Sequence, residues 1–145
     1  MDNQIKILIV DDIKANVALL EAMLDEFKFT ILKAYGGKEA IDLAKKEHPN
    51  LMLLDIMMPD LDGFQVCNNL RQDTDFDSMP IIMVTAKDKD SDIVQSLEKG
   101  ADDYISKPVI KEDLRKKVVD MLAKAKTGNL PSKLYLDKLR KQKEK

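Results

Sequence analysis

Short apolar runs recur along the chain, at spacings that leave room for one helix between each pair. They fall at Ile5–Val10, Thr30–Ala34, Leu51–Leu54, Ile81–Thr85 and Asp103–Ser106. Most show little polar alternation, the pattern of strands buried on both faces. The segments between them change period. Val17, Leu20, Leu24 and Phe27 fall on one helical stripe, as do Leu114, Val118, Met121 and Ala125. Gly36-Gly37, His48-Pro49, Pro59, Met79-Pro80 and Gly100 punctuate the junctions.

Five strands alternating with five helices predict an α/β fold, a five-stranded parallel sheet with helices on both faces. Right-handed crossovers leave few topologies, and the flavodoxin-like (βα)5 order 2-1-3-4-5 is the natural choice. Ligands in such sheets sit beyond the carboxyl ends of the strands, near the point where strand order reverses. Strand 1 ends in Asp11-Asp12, strand 3 in Asp55, strand 4 in Thr85-Ala86 and strand 5 in Lys107-Pro108. These strands are consecutive neighbours in the predicted order. Three carboxylates, one hydroxyl and one ammonium are therefore expected at one edge.

Three ionised carboxylates repel one another and call for a compensating cation. All-oxygen ligation suits a hard divalent ion, Mg²⁺ first (or Mn²⁺), which keeps positions for water and phosphate oxygens. The Lys107 ammonium can pair with a carboxylate or hold a phosphate. Asp55 can itself be a nucleophile, because carboxylates form acyl phosphates. Pro59 and Gly63 shape the loop after Asp55, Asp62 reads as the N-cap of the next helix, and the loop can turn the Met57 carbonyl toward a metal.

Composition narrows the function classes. The 145 residues suit one domain and a short tail, and 44% hydrophobic with 34% charged residues can form a core. A net charge of −2 gives no global reason to expect nucleic acid. No secretory signal is visible, and no apolar run approaches the roughly 18 residues of a membrane span. Cys67 is the single cysteine, which excludes an intrachain disulfide and a thiolate metal cluster. A cytoplasmic domain is the simplest expectation.

Asp11-Asp12, Asp55 with Met57-Met58-Pro59 and Asp62-Gly63, Thr85-Ala86 and Lys107-Pro108 together resemble the receiver domain of bacterial two-component response regulators, of the chemotaxis-regulator type. The resemblance covers about residues 4 to 124. It implies that Asp55 is the phosphoacceptor for a histidine kinase or histidine phosphotransfer protein. It also implies that Asp12, Asp55 and the Met57 carbonyl ligate Mg²⁺, with Asp11 helping directly or through water. Lys107 would pair with the phosphoryl oxygens and Thr85 would hydrogen-bond to one of them. Tyr104 resembles the aromatic switch that turns inward when Thr85 moves. The bond between Lys107 and Pro108 is a candidate cis peptide. Met57 and Lys87 resemble the variable positions that adjust phosphate lifetime. Such a domain is a regulatory phosphoacceptor rather than an enzyme, although it assists its own phosphorylation and dephosphorylation. Its response would reshape the surface of the fourth helix, fifth strand and fifth helix, roughly residues 90 to 124, toward an output domain or a second copy.

Other readings fare worse. A flavodoxin-like cofactor binder needs a Gly/Ser/Thr-rich loop after strand 1, where Asp11-Asp12 would repel a phosphate. A phosphatase with a nucleophilic Asp spaces two aspartates two residues apart after strand 1, whereas here they are adjacent. A receiver that only binds partners is the third alternative, but no member of the acceptor set is missing. His48, before Pro49, reads as a surface cap, and Cys67 as a small core residue. Residues 1–125 are expected to form the receiver. Residues 126–145, with seven Lys or Arg against Asp137 and Glu144, read as a basic tail or the start of a linker to an output domain. The run from Asp11 to Asn16 also resembles receivers attached to cyclic-nucleotide enzymes or kinases.

Overall fold

The computed structural model describes residues 4–86 and 100–143. Five strands, β1 (Lys6–Val10), β2 (Thr30–Ala34), β3 (Leu51–Asp55), β4 (Ile81–Thr85) and β5 (Asp103–Ser106), form one sheet. Its order is β2-β1-β3-β4-β5 and every pairing is parallel. The topology expected from the hydrophobic pattern is the one observed. Leu51, Met52, Leu53 and Leu54 are all fully buried, because the central strand is covered on both faces. Burying each such side chain contributes roughly 1.5–3 kcal/mol.

Helices α1 (Lys14–Met23), α2 (Gly37–Glu47), α3 (Gly63–Arg71) and α4 (Lys111–Thr127) cover the sheet. Alternate strand residues supply two cores. Leu8, Val10, Met52, Leu54 and Met83 pack with Ala40, Ala44, Val66 and Leu70 on the α2 and α3 side. Ile7, Ile9, Leu53 and Val84 pack with Val17, Leu20, Leu114 and Val118 on the α1 and α4 side. The expected helix after β4 and the position Lys87 lie outside the described residues, so α4 is the fifth helix of the sequence pattern.

Two local differences from the sequence pattern have clear causes. The stripe Val17–Phe27 is not one helix: α1 stops at Met23, a 3-10 turn spans Asp25–Phe27, and Lys28 adopts a left-handed φ of 59°. Phe27 is thereby free to stack on Phe29 with ring centroids 5.1 Å apart, as the chain reverses into β2. At the other end, Gly128 closes α4 in the left-handed region, and residues 131 to 143 form a further helix, α5 (Pro131–Lys143). The leucines there gave only a partial stripe, because what fixes the start of α5 is distant in sequence. Leu130 is fully buried, and the Ser132 N–H donates to the Asp102 carboxylate at 2.8 Å.

Asp102 is the hub of this edge of the sheet. Its second oxygen accepts from Arg71 Nη2 and from the Ile81 N–H, each at 2.9 Å. Arg71 also donates to the carbonyls of Gly100, at 2.9 Å, and Phe76, at 2.5 Å. A buried ion pair is tolerable only with its remaining polar atoms satisfied, as they are here. Gly100 has φ +106°, and a Cβ there would lie 2.6 Å from Arg71 Cγ, so both backbone and packing demand glycine.

Candidate phosphoacceptor site

The opposite edge of the sheet carries the polar cluster. Parallel register sets Val10 beside Leu54, Asp55 beside Val84 and Thr85 beside Ser106, so residues leaving these strands emerge together. Asp11 follows β1 and is buried, while its neighbour Asp12 is exposed. Adjacent residues of an extended chain point apart, yet one carboxylate oxygen from each of Asp11, Asp12 and Asp55 lies within 4.8 Å of the others. Asp11 is tied down by the Ile13 N–H at 2.9 Å and by Asn16 Nδ2 at 3.1 Å. The only sequence signal for this part of Asn16 is its five-residue spacing from Asp11 across the start of α1.

Asp55 ends β3 with only 5% of its surface exposed. Burial, and then the Asp11 carboxylate, push its pKa from 3.8 up to about 6, against the opposing pull of Lys107 and the Met57 N–H. The Lys107 ammonium stands between the two acids, 3.3 Å from Asp11 Oδ2 and 3.5 Å from Asp55 Oδ1. Its own backbone N–H donates to the Thr85 carbonyl at 2.7 Å, and the Lys107-Pro108 peptide is cis. Thr85 is buried at the end of β4. Tyr104 is half-buried and pairs with Met83, while Ser106 pairs with Thr85. Side chains two apart share a face, so Tyr104 and Thr85 lie on the same side of the sheet. Met57 is exposed, beside the site in the loop after Asp55.

That loop is held by three devices. Asp62 caps α3 in a reciprocal box with Gln65, each bond at 2.9 Å, as its place before Gly63 predicted. Gly63 lets the helix start touch the end of β3, since a Cβ there would lie 2.6 Å from the Asp55 carbonyl oxygen. Asp60, whose part no sequence signal marks, accepts from the N–H groups of Gly37 and Lys38 at the start of α2, at 3.0 and 3.1 Å. These bonds pull its pKa down to about 2. His48 ends α2 in a left-handed conformation and stacks its exposed ring on Phe76, and Cys67 is a buried core residue, as their positions implied. No helix of the described residues is long and apolar enough to cross a membrane.

Comparison with known proteins places this arrangement. The model of the response regulator receiver domain matches residues 7–119. The chain is 42% identical over 118 residues to protein PilH of Pseudomonas aeruginosa, covering 81% of this chain and 98% of that protein. It is 38% identical over 138 residues to the response regulator PleD of Caulobacter vibrioides, covering 94% of this chain but 28% of PleD. Among solved structures, a two-component response regulator from Clostridium difficile superposes with a TM-score of 0.77 at 35% identity, covering 83% of this chain and 97% of that one. The chain spans about half the length of several other curated relatives that it matches. By its sheet order, its acidic strand ends and the extent of these matches, the chain belongs to the response regulator receiver domain family of two-component signalling.

Proposed function

We propose that the chain is a phosphorylatable switch in which Asp55 accepts a phosphoryl group from a phosphohistidine of a histidine kinase or phosphotransfer protein. The observation that carries this reading is the buried Asp55 carboxylate, facing the Lys107 ammonium at 3.5 Å and sharing a 4.8 Å cluster with Asp11 and Asp12. An Asp55 oxygen attacks phosphorus, the P–N bond of the donor breaks, and the imidazole leaves with that electron pair and takes up a proton. Lys107 neutralises the phosphoryl oxygens and Thr85 donates its hydroxyl to one of them.

The donor set fits Mg²⁺ or Mn²⁺: Asp12, Asp55 and the Met57 carbonyl as ligands, with Asp11 assisting. When bound, the ion cancels the carboxylate repulsion and withdraws charge from the phosphoryl oxygens. Asp11 is held by Ile13 and Asn16, so it is preorganised and pays little ordering entropy. Exposed Ile13, Met57 and Ile110, in the loops after β1, β3 and β5, with Leu19 on α1, frame the site with apolar surface suited to the donor protein. On this reading the domain works in the cytoplasm and assists its own phosphorylation and dephosphorylation.

A phosphoryl group on Asp55 draws Thr85 inward and the Tyr104 ring follows along their shared face, reshaping the surface of residues 90 to 124 as a population shift. Residues 1–125 act as the receiver and residues 126–145 lead toward an output domain. The greater length of relatives such as PleD supports that connection.

A metal titration tests the ligand assignment. Asp12→Ala should weaken Mg²⁺ binding more than Asp11→Ala, and both should slow labelling by a small phosphodonor. Two variants that bind Mg²⁺ and label as wild type does would refute it.

A further inference from the structure

The side chains of α4 that face inward pack on one side of the sheet, with Leu114, Val118 and Met121 in the second core, whereas Tyr104 packs against the first. Lys117 crosses that division. It leaves α4, passes round the free edge of β5, and donates from Nζ to the Tyr104 carbonyl at 2.7 Å. The same ammonium stands 5.0 Å from the centroid of the Tyr104 ring and 3.5 Å from Asp103 Oδ1. That carboxylate oxygen in turn accepts the Tyr104 N–H at 2.8 Å. Two side chains thus satisfy both backbone groups of Tyr104, on a strand whose other edge is paired with β4. Capping of this kind also blocks the addition of a further strand.

We propose that Lys117 is a positioning residue that holds the Tyr104 ring in its half-buried place and so sets the threshold of the switch. The inference rests on the reading of Asp55 and Thr85 given above. The ammonium is tethered to the Tyr104 carbonyl and to Asp103, so it cannot follow the ring when the ring turns toward Thr85. Inward rotation therefore gives up the cation–π contact while the backbone bond persists. A contact present only in the resting state opposes any ligand that favours the other state, and linkage makes this opposition reciprocal. Occupancy of Asp55 works against Lys117, and loss of Lys117 favours occupancy.

The experiment is a titration with beryllofluoride in the presence of Mg²⁺, on protein carrying 3-fluorotyrosine. Three tyrosines are present, and Tyr104→Phe assigns the resonance of interest. Lys117→Met should tighten beryllofluoride binding about fivefold, the scale of one partly exposed cation–π contact, and shift the Tyr104 resonance of the free protein. Lys117→Arg keeps the charge and the donor, so it should stay close to wild type. Lys117→Met with wild-type affinity and an unmoved resonance would overturn the proposal. Equal tightening in Lys117→Arg would overturn it too, by showing that shape rather than the cation matters. Should wild type itself not bind beryllofluoride, the phosphoacceptor reading fails before Lys117 enters. Should wild type bind it and Lys117→Met match it, the hold alone fails.

Discussion

Asp55 terminates a fully buried strand, and on the proposed reading it must ionise there to act as a nucleophile. Folding raises its pKa from 3.8 to about 6, so the native state binds more protons than the unfolded chain between those values. Stability in the absence of metal therefore falls as pH rises through that window, and the full penalty remains above it. Asp55→Asn is neutral throughout. Its stability relative to wild type should rise by about 2–3 kcal/mol between about pH 3.5 and about pH 7.5 in chelator-treated buffer, as read by chemical denaturation. A difference that stays flat with pH would show that Asp55 is not strained in the folded state. The need for a charge at Asp55 was legible in the sequence, because Leu51–Leu54 delivers it to a shared edge. The support of Asp11 by Asn16 and the hold of Lys117 on Tyr104 were not. Both depend on where a helix places a side chain around a strand end, which hydrophobic period does not encode.

At the scale of elements, strands were read to within a residue, since β-branched and apolar runs between turn signals have few alternatives. Helix ends were less legible. α1 stops at Met23, after which a 3-10 turn brings Phe27 onto Phe29, and the start of α5 is held by a carboxylate 30 residues earlier in the chain. Asp102 joins α3, β4 and α5 through Arg71, Ile81 and Ser132, and Leu130 fills the adjoining core. This anchoring carries a prediction for α5. Leu130→Ala should cost about 2–4 kcal/mol by removing a fully buried side chain, and should expose residues 128 to 143 to limited proteolysis. A loss within error of zero, with an unchanged cleavage pattern, would mean that α5 does not depend on its docked start.

Across the whole molecule, the two edges of the sheet divide the work. The edge where strands end gathers three carboxylates and the Lys107 ammonium, and the edge where they begin uses the buried Arg71–Asp102 pair to anchor the start of α5. β4 spans both, with the Ile81 N–H bonded to Asp102 at one end and Thr85 beside the acids at the other. The fold and the acidic edge were visible from sequence because they follow from period and from strand order; the anchoring edge was hidden because its partners are distant in sequence and buried. That the acidic edge serves to make and hold an acyl phosphate on Asp55 is tested most directly by mapping the modified residue. Wild type and Asp55→Asn are incubated with a small phosphodonor and Mg²⁺, then digested and sequenced by mass spectrometry. One base-labile acyl phosphate is expected, on Asp55, requiring Mg²⁺ and vanishing in Asp55→Asn. Labelling of Asp55→Asn at the wild-type rate, or a stable modification elsewhere in wild type with Asp55 unmodified, would contradict it.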